Sequence, residues 1–121
     1  MRRVSVPLVA SLLAAAGAAN AHPKLLSANP APNATVARPA RVELRFSEKL
    51  MPAFSKAELA MADAEGRLPA KIAGTARVAG DGRTLVLTPS EPLRPGRYNV
   101  AWAVVASDTH RITGTHAFAV R

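Results

Sequence analysis

The chain has no cysteine among its 121 residues. Disulfides, thiolate metal sites, iron–sulfur clusters and thiol nucleophiles are therefore excluded. A blue-copper electron-transfer centre is excluded too, because its ligand set requires a Cys. Aromatic residues are only 4% of the sequence, so the core has to be built from Val, Leu, Ile and Ala with a few rings. Long helices are disfavoured by ten prolines and seven glycines scattered along the chain, a pattern that suits short strands joined by turns. Acidic residues are scarce, with 8 Asp+Glu against 16 Lys+Arg. Setting aside Arg2 and Arg3 leaves 14 Lys+Arg against 8 acidic residues, a net charge of +6 for the remainder. These cations stand singly, as at Arg38, Arg41, Arg45 and Arg77, and no basic run is interleaved with aromatics. That pattern is a solvated basic surface and not a nucleic-acid footprint. The length suits one domain.

What is present begins with an address. Met1-Arg2-Arg3 supplies a positive start, Val4 to Ala19 is uncharged and largely apolar, and Ala19-Asn20-Ala21 is a small-x-small cleavage pattern. Residues 1–21 thus read as a secretory signal peptide and residues 22–121 as the mature domain. The apolar run contains Pro7 and Gly17 and is short for a membrane span, so no stable membrane insertion of the mature chain is expected. Cleavage after Ala21 would make His22 the new N-terminus, with a free α-amine of reference pKa about 8 beside its imidazole. Amine nitrogen and ring Nδ1 can close a chelate on one metal ion. Pro23 has no backbone N–H, so the next main-chain nitrogen cannot join, and other residues must complete the site.

Downstream, the apolar pattern has period two. Val42–Phe46 alternates apolar and charged residues, Thr84–Thr88 is a short run closed by Pro89, and Arg97–Ala106 places Tyr98, Val100, Trp102 and Val104 on one face. Thr115–Val120 reads as the last strand. Turn residues punctuate these runs at Asn29–Asn33, Glu65-Gly66, Gly80-Asp81-Gly82 and Arg94-Pro95-Gly96. Ser55–Glu65, rich in Ala, Glu and Leu, is open between a helix and a strand followed by a turn. Several short strands at close spacing imply an all-β sandwich or a small Greek-key barrel.

The chain holds three histidines, His22, His110 and His116. Asp108 and His110 stand two apart, and in extended backbone both side chains would point to one side. An Asp–His pair beside a turn is also a common capping arrangement. Joined by the amine and ring of His22, the pair would make a set of three nitrogens and one oxygen, which suits tetragonal Cu(II). His116, among Thr115, Ala117 and Phe118, reads as a structural or surface histidine, and Tyr98 and Trp102 as core rings.

The residues after position 21 resemble the CopC/PcoC family of periplasmic copper-resistance proteins along nearly their whole length. The matching segments are His22-Pro23-Lys24-Leu25, Leu44-Arg45-Phe46-Ser47-Glu48, Glu91-Pro92-Leu93 and Gly96-Arg97-Tyr98. The most specific match is Trp102, then Val105-Ala106-Ser107-Asp108-Thr109-His110 and Ile112-Thr113-Gly114. The resemblance implies a cupredoxin-like (Ig-like) Greek-key β-sandwich in the periplasm with one Cu(II) per chain. Its ligands would be His22, Asp108 and His110, with Glu48 as a further candidate that could equally be a surface charge beside Lys49. Several family members also carry a Met- and His-rich loop for Cu(I), but here that stretch retains only Met61, with Met51 upstream. A Cu(I) site is not expected, since Met serves more often as core filling.

These expectations describe a binding protein, not an enzyme, that sequesters Cu(II) or passes it to a copper-handling membrane or periplasmic protein. Its affinity should fall as pH drops and the histidines protonate. The rival readings are a histidine-brace copper oxidase and a metal-free Ig-like structural module.

Overall fold

The computed structural model describes residues 22–68 and 70–121; the segment read as a signal peptide lies outside them. The period-two stretches fold as strands: β1 Leu25–Asn29, β2 Thr35–Val36, β3 Val42–Phe46, β4 Lys56–Ala62, β5 Ala70–Ile72, β6 Gly74–Val78, β7 Thr84–Pro89, β8 Gly96–Val105 and β9 Arg111–Val120. One 3₁₀ turn, Pro52–Phe54, precedes β4. Among the described residues, no helix is long and apolar enough to cross a membrane.

The strands form two sheets, one ordered β1-β3-β7-β6 and the other β2-β9-β8-β4-β5. All pairings are antiparallel except the short β2–β9 pair. The all-β Greek-key sandwich is therefore the fold adopted. The ambiguous Ser55–Glu65 stretch takes the strand option, with β4 followed by a turn. Its helix-favouring composition is overridden because β4 is paired on both sides, with β8 and with β5, while Leu59 is buried in the core. The turn after it is closed by Asp63, whose Oδ1 accepts the amides of Glu65 and Arg67 at 3.0 and 2.8 Å.

Side chains from the inner faces of both sheets fill the core. Val42, Leu44 and Phe46 of β3 with Leu85 and Leu87 of β7 meet Tyr98, Val100, Trp102 and Val104 of β8 with Phe118 and Val120 of β9. Each such side chain contributes about 1.5–3 kcal/mol by leaving water. The rings do more than fill space. Phe46 meets Trp102 edge-on across the two sheets at 5.0 Å, and Tyr98 stacks on Phe118 at 5.5 Å. The Tyr98 hydroxyl donates to the Arg94 carbonyl at 2.7 Å, and His116 Nε2 donates to the Pro30 carbonyl at 2.8 Å. His116, buried in this way, is a structural histidine.

Gly114 lies opposite Trp102 in the β8–β9 register. A Cβ there would fall 2.2 Å from the indole Cζ2, so the flat ring occupies the space that the glycine leaves. Gly114→Ala should therefore cost about 1–3 kcal/mol in chemical denaturation, as overpacking does. Gly80→Ala, whose added Cβ meets nothing within 4 Å, is the control and should stay within about 0.5 kcal/mol of the parent.

Candidate metal centre

The β8–β9 hairpin closes on the pair Val105↔Arg111, leaving Ala106 to His110 as its loop. Ala106 is bridged to Leu50, and the Thr109 amide donates to the Ala106 carbonyl at 3.0 Å. The backbone here is not extended, as the spacing of Asp108 and His110 alone would suggest. Thr109 has φ 65°, in the left-handed region, and the chain turns there. Asp108 and His110 still converge, because the turn folds the His110 amide back onto Asp108 Oδ1 at 3.2 Å. The capping interaction and the paired side chains therefore coexist, one on each carboxylate oxygen.

His22 reaches this loop from the other sheet. It precedes β1, the edge strand beside β3, and Pro23 after it is buried. Lys24 is tied to the residue after β3 by two hydrogen bonds. Its amide donates to Ser47 Oγ at 2.9 Å, and its carbonyl accepts from the Ser47 amide at 2.9 Å. Leu25 then pairs with Phe46, and an irregularity follows before Ser27 pairs with Arg45.

The two arms meet at Asp108. His22 Nδ1 is hydrogen-bonded to Asp108 Oδ2, and His110 Nδ1 lies 3.6 Å from the same oxygen. The two imidazoles sit 5.2 Å apart, tilted by 56°. One ligand-type atom from each of His22, Asp108 and His110 lies within 4.8 Å of the others. The Asp108 side chain is the most sheltered, 15% exposed, against 41% for His22 and 70% for His110. Two nitrogens and a carboxylate, gathered at an open end of the sandwich, can hold a divalent transition-metal ion. Glu48, half-buried one residue beyond Ser47, does not belong to this group of atoms. Met61 packs against the hydrophobic core and is a filler there. Met51 is half-buried, its amide donating to the Val105 carbonyl at 2.7 Å.

Ser47 and Thr109 escaped the sequence reading. Nothing in the alternation of residues 42–46 marks the next side chain as a partner of Lys24, which is distant in the chain. Thr109 gives no signal either, since a non-glycine residue in the left-handed region is uncommon.

Burial pushes the Asp108 carboxyl up, but hydrogen bonds from the His22 ring and the His110 amide outweigh it, and the carboxyl is held below the ordinary 3.8. A carboxylate lowered in the folded state stabilises the fold above its unfolded pKa and loses that contribution as pH falls through the folded value. In the metal-free protein, the Asp108 carboxyl-carbon resonance should therefore titrate below 3.8. His22→Ala should move that midpoint upward, and an unchanged midpoint would show that the ring does not hold the carboxylate.

Comparison with known proteins agrees with the sandwich. A family profile described as the CopC domain matches residues 25–121. Copper resistance protein C of Xanthomonas campestris pv. juglandis is 44% identical over 119 residues, covering 97% of this chain and 93% of the relative. The crystal structure of PcoC, a methionine-rich copper resistance protein from Escherichia coli, superposes with a TM-score of 0.77 at 40% identity, covering 84% of this chain and all of that one. CopC from Methylosinus trichosporium OB3b gives a TM-score of 0.65 at 33% identity, covering 82% of this chain and 93% of the other. With the profile and these relatives extending over nearly all of the sandwich, the chain belongs to the CopC domain family.

Proposed function

We propose that this chain is a periplasmic copper-binding protein of copper resistance, which takes one Cu(II) ion at His22, Asp108 and His110 and sequesters it or hands it to another copper-handling protein. The observation that carries the reading is the convergence of two imidazoles and one carboxylate within 4.8 Å, drawn from opposite sheets. Family membership supplies copper as the cargo. Nitrogen and oxygen donors favour Cu(II) over the soft Cu(I), and beyond Met1 this chain has only Met51 and Met61 to offer as thioethers.

The donor set also accounts for charge and protons. Asp108 supplies one negative charge against the ion. His22 Nδ1 faces Asp108 Oδ2, so with the proton on Nδ1 that hydrogen occupies the line between two ligand atoms. An ion entering there displaces it: a neutral ring takes the proton on Nε2 instead, and only a ring that carries both protons gives one up to solvent. Export would add the fourth donor. Cleavage after Ala21 frees the His22 amine on the same residue as Nδ1, and Pro23 stops the chelate at those two nitrogens. Glu48 is a candidate outer donor on its position beside Ser47.

The test is a Cu(II) titration of the protein beginning at His22, read by electron paramagnetic resonance and compared with the same protein carrying one extra N-terminal residue. One tight, tetragonal, nitrogen-rich site that weakens sharply in the extended form is expected. Identical spectra in the two forms would remove the amine from the site, and no tight binding in either would remove the copper function.

A further inference from the structure

The N-terminal arm must be held against the β8–β9 loop for His22 and Asp108 to share an ion, and few contacts do so. Pro23 is buried, and Lys24 makes its two hydrogen bonds with Ser47. Ser47 is itself fixed from the far side. Its carbonyl accepts from Arg83 Nη1 at 3.2 Å, while the neighbouring Phe46 amide donates to the Arg83 carbonyl at 2.8 Å. Three residues on, Leu50 donates to the Gly82 carbonyl at 2.8 Å and bridges to Ala106, where the loop bearing Asp108 and His110 begins. Ser47–Met51 is thus one stretch of chain that touches both halves of the site, the arm at Ser47 and the hairpin at Leu50 and Met51.

We propose that Ser47 is a positioning residue for the metal site, setting through its hydroxyl the place of the His22 arm relative to Asp108. The inference rests on the copper reading above and deepens it. The Lys24–Ser47 hydroxyl bond is exposed to solvent, so water replaces the lost partner when the hydroxyl is removed. Fold stability therefore changes little. What is lost is the order of an arm three residues long that has to present His22 in one place, and the ion must then supply that ordering when it binds.

The experiment uses the protein beginning at His22 and Cu(II) alone as the probe. Ser47→Ala should weaken Cu(II) binding by about 3- to 10-fold, the factor corresponding to one net hydrogen bond. The metal-free melting temperature should stay close to the parent's. Ser47→Thr and Ser47→Val match in shape and differ in the hydroxyl, so Thr should restore affinity and Val should not. Because Ser47 acts through the arm, Ser47→Ala should cause no further loss once both arm donors are removed, by His22→Ala in the protein carrying one extra N-terminal residue. Equal affinity of the Thr and Val variants, or an undiminished effect of Ser47→Ala without those donors, would overturn the positioning role while leaving the copper site intact. Failure of the parent protein to bind Cu(II) tightly would instead overturn the reading beneath it.

Discussion

The Asp108 carboxylate receives the His110 amide on one oxygen and the His22 imidazole on the other. The rest of the candidate site depends on that division. The bond to the amide shapes the hairpin loop, so His110 turns back toward its neighbour. The bond to the ring joins that loop to a segment 86 residues away in sequence. Neither histidine side chain has another side-chain partner among the described hydrogen bonds and ion pairs, so this carboxylate is the one polar group that both rings face.

The sandwich makes the meeting possible. β1, which follows His22, is an edge strand of one sheet, and β8 and β9, which carry the loop, are in the other. Their ends coincide because the core between the sheets is packed across, with Phe46 at the end of β3 meeting Trp102 near the end of β8. Chain from Ser47 to Met51 then crosses between the layers at that same end. It bonds to Lys24 on one side and to Val105 and Ala106 on the other. Apolar burial thus sets the distance between sheets, and hydrogen bonds along one connecting segment set the position of the site's two arms.

A metal at such a place meets an open environment. His110 is well exposed and Asp108 is sheltered, which suits an ion that must enter and leave, as the proposed carrier role demands. Asp108 supplies the anionic ligand in a chain whose net charge is +8. The relative described as methionine rich differs in this from the present chain, which has three methionines, one of which, Met61, packs against the core.

The sequence by itself determined the strands β3, β7, β8 and most of β9, because alternation of apolar residues is a local property that burial on one face enforces. It also determined the donor types, since three histidines and no cysteine leave few choices. Three matters were decided by tertiary structure. The Ser55–Glu65 stretch became a strand because neighbours on both sides paired with it, against its own composition. The Asp108–His110 pair converged through a left-handed Thr109 and not through extended backbone, a geometry held by long-range packing of the hairpin. Finally, His22 reached Asp108, whereas Glu48, equally plausible from its residue type, did not join the cluster. Residue type states what a side chain can bind; only the folded core, which fixes distances between segments remote in the chain, decides which of them meet.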